Sequence, residues 1–254
     1  MGLTPTAHNH SHILLFTGRF GSGKTEVAIN YALALAKPER DRQRGKATAG
    51  VILIDLDIVT PYFRSREMSA GRKMEERGVQ VVAPNVIGQH LDIPAITPQI
   101  LGALQQTERP VVVDVGGDPQ GARALGQFSG AIQKATTEGC PHTMHFVVNP
   151  YRPFTDTLEG LARSIAEIEA TSRLKVSSLV SNPNLIGETT VQTIVDGHAR
   201  IEGFAGELGL PIAFVCIQRQ WAEQVRRTIR DMRRPTVFAR PVLALDRYFV
   251  MPWE

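Results

Sequence analysis

The chain has 254 residues, 43% of them apolar, two cysteines and a net charge of +3. That length suits one large α/β domain. Cys140 and Cys216 form no C-x-x-C, which argues against a disulfide framework or a cysteine-only metal site, and so modest a charge does not by itself point to nucleic acid.

No apolar run reaches the ~18 residues that crossing a membrane takes. The opening MGLTPTAHNHSH lacks a basic-then-apolar leader, so a cytoplasmic protein is expected, with residues 1–11 flexible. In chain order, His12–Thr17 (HILLFT) is predicted to be a buried strand and Thr25–Lys37 a helix with apolar residues at helical spacing. A polar connection, Pro38–Lys46, leads to a second strand at Gly50–Leu56. Then follow a helix at Glu67–Arg77, a strand at Val79–Ala83, a proline-bearing loop at Pro84–Pro98 and a short helix at Gln99–Gln106. Pro110–Val115 is the fourth strand and Gln120–Lys134 the next helix. His142–Val148, Lys175–Val180 and Pro211–Cys216 are further strands, with helices at Thr155–Ala170, Thr189–Leu208 and Trp221–Met232. The last stretch, VLALDRYFVMPWE, reads as a short strand or an extended tail. Strands alternating with helices imply a single-domain, three-layer α/β fold, a mostly parallel central sheet with helices on both faces.

Between the first strand and helix lies Gly18-Arg19-Phe20-Gly21-Ser22-Gly23-Lys24-Thr25, followed by Glu26. It fits G-x-x-x-x-G-K-[ST], the phosphate-binding P-loop, in the strand–loop–helix setting that motif requires. Glycines let backbone N–H groups turn inward around phosphate oxygens, and the helix N-terminus adds partial positive charge. Lys24 is then expected to reach the β- and γ-phosphates and the Thr25 hydroxyl to bind Mg²⁺.

In such a sheet the ligand lies beyond the C-terminal ends of the strands. The second strand ends Asp55-Leu56-Asp57, and of these two carboxylates one is expected to point toward the phosphates and the other away. The fourth ends Asp114-Val115-Gly116-Gly117-Asp118-Pro119. Asp114 is expected to hold Mg²⁺, with Asp57 a further candidate for the metal. Asp57 and Asp118 are candidates for positioning the attacking water. Asp118 before Pro119 equally suits a helix N-cap, and Asp57 equally suits a turn before Pro61.

These three motifs, the P-loop, ILIDLD and VVVDVGGD, resemble the deviant-Walker P-loop ATPases, among them MinD, ParA and the nitrogenase iron protein. The Asp114-x-x-Gly117-Asp118 spacing is similar to the iron protein's switch II, and Asp57 matches the second aspartate of the MinD-like strand end. The resemblance implies an Mg²⁺-dependent ATPase that acts as a switch, dimerises around nucleotide and engages a client protein. It also implies switch loops at Asp57–Glu67 and Gly116–Gly126. One position departs from the pattern: the family's signature lysine is replaced by Arg19. Arginine can serve phosphate through its planar fork. Adenine recognition falls by resemblance to Asn182, although Ser181-Asn182-Pro183-Asn184 is also an ordinary turn. None of the six lysines has Asp two positions on, so the usual guanine-reading N/T-K-x-D is absent and ATP is expected over GTP.

Three kinds of client stay open. Metallocentre or cofactor maturation would suit the iron-protein-like switch II and the alternating His8, His10 and His12. Positioning on DNA or membrane would suit the basic series Arg219, Arg226, Arg227, Arg230, Arg233 and Arg234, which also reads as a solvated face. A small-molecule kinase or ligase would need a substrate pocket, for which the Pro84–Pro98 loop with His90 and Asp92 is the candidate. The first switch loop carries Tyr62, Phe63, Arg64 and Arg66, a candidate docking group for a client.

Overall fold

The structure, a computed structural model, describes residues 13–36, 50–57, 74–83, 98–106, 108–231 and 240–248. Eight strands form one sheet in the order β3-β2-β4-β1-β5-β6-β7-β8. They are β1 (Ile13–Thr17), β2 (Val51–Leu56), β3 (Val79–Val82), β4 (Val111–Val115), β5 (His142–Val148), β6 (Ser178–Ser181), β7 (Ile212–Gln218) and β8 (Val242–Leu245). All seven neighbouring pairs run parallel. β1, β2 and β4 are buried at every position, the expected state of a parallel strand covered on both sides.

The helices are α1 (Lys24–Leu35), α2 (Pro98–Gln105), α3 (Pro119–Thr137), α4 (Leu158–Ser172), α5 (Val191–Leu208) and α6 (Ala222–Asp231). Strand alternation sorts the core into two layers. Ile13, Leu15, Ile54, Val113 and Phe146 meet Leu104 of α2, Leu125 and Phe128 of α3, Ile165 of α4 and Ile201 of α5. Leu14, Phe16, Leu53, Val112 and Phe214 meet Val27, Ile29, Tyr31 and Ala32 of α1 on the opposite face. In that second layer Phe16 lies with its ring centroid 5.2 Å from Tyr31 and 6.3 Å from Phe214, contacts each worth about 1 kcal/mol beyond area burial. The three-layer α/β architecture expected from the sequence is therefore present.

Local chemistry sets the helix ends. Thr157 accepts a hydrogen bond from Gly160 N at the start of α4, and Thr190 from Thr193 N at the start of α5. Each such cap contributes about 1 kcal/mol. Gly209, in the left-handed region, ends α5. β6 begins at Ser178, three residues later than expected, because the Glu169 carboxylate on α4 accepts from Lys175 Nζ and Val176 N and pins that stretch to the helix. The 67–77 helix falls mostly outside the described residues; Met74–Glu76 are helical. The loop with His90 and Asp92, the residues Tyr62, Phe63, Arg64 and Arg66, the N-terminal histidines, Arg233 and Arg234 also lie outside them.

Candidate functional site

The chain leaves β1 for β2 on one side of the sheet, with β4 between them, and β5 lies on the other side of β1. This reversal opens a crevice at the C-terminal end of β1, where residues 18–23 turn into α1. Gly23 has φ 81°, a left-handed backbone that L side chains rarely adopt, and a Cβ there would stand 2.4 Å from Asn182 Nδ2. From the β4 side Gly117 presses on the same loop: a Cβ on it would fall 2.6 Å from Gly18 O and 2.9 Å from Phe20 N. The loop is thus held between the ends of β4 and β6.

Beneath it lies a charged cluster. Asp55 and Asp114 are register partners on neighbouring strands, and Asp57 N donates to Asp55 Oδ1 at 2.9 Å. Residues two apart on a strand share a face, so Asp55, Asp57 and Asp114 all stand on the α1 side. This corrects the expectation that one of the first two points away. Lys24 Nζ donates to Asp57 Oδ2 at 3.1 Å. Burial works against the Lys24 charge, but Asp114, Asp57 and Asp55 together outweigh it and hold its pKa above the ordinary value. Burial pushes Asp114 up to about 6, against the pull of Lys24 and of the Thr25 hydroxyl.

Among the described residues no donor reaches hydrogen-bond geometry with either oxygen of Asp114, although both are buried and the Thr25 hydroxyl lies nearby. An orphaned buried carboxylate beside a threonine hydroxyl at a helix start is a donor set that fits Mg²⁺. Among the described residues no three His, Cys, Asp or Glu side chains cluster as a protein-only metal cage. A P-loop metal does not need one, because it takes most of its oxygens from water and phosphate.

Asp118 is the N-cap of α3, accepting from Gly121 N at 2.7 Å with Pro119 next in sequence. The expected switch segment Gly116–Gly126 is therefore helical from Pro119 onward. Asn182 is buried, and its Nδ2 donates to Ser22 O at 2.7 Å. Arg19 turns back onto its own chain: Nε donates to Ser164 Oγ at 2.8 Å, the guanidinium pairs with Glu167, and its Cζ lies 5.3 Å from the Phe154 ring centroid. Glu26 accepts from Tyr248 N at 2.9 Å.

A cleft of about 670 Å³ runs from Gly21, Lys24 and Thr25 to Asn184, Gln218, Asp246 and Arg247 at the ends of β6, β7 and β8. That volume suits a ligand the size of a nucleotide. Asn149 and Arg152 line it as well. None of these last six residues was singled out for the site in the sequence, yet Gln218 closes β7 and the others follow the ends of β5, β6 and β8, where the strand-end rule points.

No family model matches the chain, and no curated protein matches it in sequence. Solved structures do. The cell division protein FtsY from Thermotoga maritima is 18% identical, with a TM-score of 0.50, over 82% of this chain and 62% of that one. The signal recognition particle receptor FtsY from Elizabethkingia anophelis, solved in complex with GDP, is 17% identical, also at 0.50, over 82% of this chain and 57% of that one. The chain thus spans less than two thirds of the length of either. The likeness carries the fold: this is a P-loop NTPase-like sheet with helices on both faces. Among the described residues no helix is long and apolar enough to cross a membrane.

Proposed function

We propose that the chain is an Mg²⁺-dependent, ATP-binding and ATP-hydrolysing switch of the MinD/ParA-like class. The observation that carries this reading is the P-loop Lys24 set over Asp55, Asp57 and the orphaned Asp114 carboxylate. Loop amides and Lys24 bind the phosphates. Thr25 and Asp114 hold Mg²⁺, which supplies charge neutralisation at the β- and γ-oxygens. Asp57, paired with the Lys24 ammonium, and Asp118, at the start of α3, position the attacking water. Gly116 and Gly117 let the backbone follow the terminal phosphate and relax on its loss, the usual basis of a nucleotide switch.

ATP rather than GTP is supported by the state of the acidic side chains along the cleft. A guanine reader needs a carboxylate to accept the N1 and N2 protons. Asp246 is held by Arg219 through two bonds of 2.6 and 2.7 Å, Glu26 accepts from Tyr248 N, and Asp118 caps a helix.

A partner over the cleft, a second copy in the nucleotide-dependent homodimer or a client protein, is supported by the exposed hydrophobics. Phe20 is 73% and Phe154 65% exposed, and both stand on the cleft rim. Exposed aromatics on the rim of a cleft offer apolar surface that a partner can cover. The test is light scattering with ADP–Mg²⁺ and ATP–Mg²⁺, using Asp118→Ala to slow turnover. ATP-dependent dimerisation is expected. ATP binding with unchanged mass would remove the dimer from the model and favour a small-molecule kinase or ligase.

A further inference from the structure

Among the described residues the side chain of Arg152, in the turn after β5, finds no hydrogen-bond or ion-pair partner, and its Nε is buried without an acceptor. Its position is firmly set. Arg152 N donates to Asn149 O at 3.2 Å, Thr155 N donates to Arg152 O at 3.2 Å, and the buried Thr155 hydroxyl donates to Asn149 O at 2.7 Å. The side chain lies along the P-loop: a Cβ on Gly21 would be 3.3 Å from both Cδ and Nε of Arg152.

A guanidinium stays charged at any physiological pH, so burying its Nε–H without an acceptor costs desolvation that nothing among the described residues returns. The contrast with Arg19 is informative. Arg19 occupies the family's signature position but is already satisfied by Ser164 and Glu167. Gly117 approaches the loop from the β4 side and Arg152 from the β5 side.

We infer that Arg152 is the arginine that meets the nucleotide's phosphate chain, acting within one chain and opposite Lys24. This rests on the nucleotide reading above. In hydrolysis, water adds to the γ-phosphorus as the bond to the β–γ bridging oxygen breaks. The electron pair leaves with ADP and the water proton passes to solvent. Negative charge shifts onto the bridging oxygen, and a guanidinium held against the loop with its fork unused suits that change.

The test uses the full chain and three probes: ATP turnover, ADP affinity, and affinity for ADP with aluminium fluoride as a mimic of the transferring phosphoryl group. Arg152→Gln keeps a polar stem on Gly21 and removes the charge. We expect at least a ten-fold loss in kcat and in ADP–aluminium fluoride affinity, with ADP affinity changed less than three-fold, and partial rescue by Arg152→Lys. Wild-type turnover and trapping in Arg152→Gln overturn the inference. So does an equal loss for ADP and its fluoride complex, which marks Arg152 as a support for the loop. If the wild-type chain binds no nucleotide, the reading beneath the inference has failed first.

Discussion

Lys24 and Asp57 form a buried ion pair, with Nζ 3.1 Å from Oδ2 and side chains only 8% and 5% exposed. Removing one member of such a pair strands the other, which typically costs 3–5 kcal/mol out of a total stability of roughly 5–15 kcal/mol. Lys24→Ala is therefore expected to lose ATP binding and to melt at a lower temperature while staying folded at 25 °C. In Lys24→Ala/Asp57→Asn part of that stability returns, with a coupling of about 1–3 kcal/mol. Urea titrations of the four-member cycle measure it. Strict additivity would show that the pair contributes no coupling, and normal ATP turnover by Lys24→Ala would remove the P-loop assignment.

Two buried groups give opposite pH slopes. Asp114 moves from an ordinary 3.8 to about 6, so between those values the folded chain keeps a proton that the unfolded chain has lost. Stability on its account falls as pH rises through that window. His145 moves from 6.5 down to about 4 because burial disfavours its charge, so the unfolded chain protonates first. Its contribution falls as pH drops through nearly the same window. Each is worth about 3 kcal/mol at 1.4 kcal/mol per pKa unit, and they largely cancel in the wild type. In metal-free buffer, Asp114→Asn should be more stable than wild type above pH 6 and lose stability more steeply on acidification. His145→Phe should flatten or reverse that loss. Parallel pH profiles for all three proteins would refute the assignment.

Asp118 combines two roles that a single substitution can separate. Asp118→Ala removes the cap of α3 and costs about 1 kcal/mol, whereas Asp118→Ser retains a capping oxygen. If the carboxylate also positions water, both variants lose ATP turnover, and only the alanine variant loses thermal stability. Full turnover in Asp118→Ser would confine the residue to the helix start.

Asn182 donates to Ser22 O beneath the loop. A loop clip acts on every nucleotide alike, while an adenine reader acts on ATP alone. Since one N–H of Nδ2 holds the loop, Asn182→Ala is expected to weaken ATP and GTP by similar factors, on the order of 1 kcal/mol each for the lost hydrogen bond. Calorimetric titration with both nucleotides decides it. A loss confined to ATP would assign adenine recognition to this side chain.

Much of the fold could be read from the chain because its strands are continuous apolar runs with clear punctuation. β5 lies at His142–Val148 as expected, and most other bounds shift by one or two residues. β6 shifted further because Glu169, a residue on a neighbouring helix, captured its first residues. No local pattern announces such a contact. At the site, the P-loop and Asp114 were legible through glycine spacing and a strand-terminal carboxylate. Arg19 was not, since its partners Ser164 and Glu167 lie nearly 150 positions away. The strand-end rule points to the turn that carries Arg152, but not to its buried Nε without an acceptor among the described residues, which only three dimensions show.

The outer side of α1 is closed by residues far along the chain. Asn30 Nδ2 donates to Asp246 O, Asp246 N donates to Asn30 Oδ1, and Glu26 accepts from Tyr248 N, across separations of 216 and 222 positions. During synthesis this helix therefore stands beside its early strands without its last cover until some two hundred further residues have been made, roughly 10–40 s at 5–20 residues per second. Such distant closure slows folding. The phosphate loop is thus translated well before the residues that brace the helix behind it.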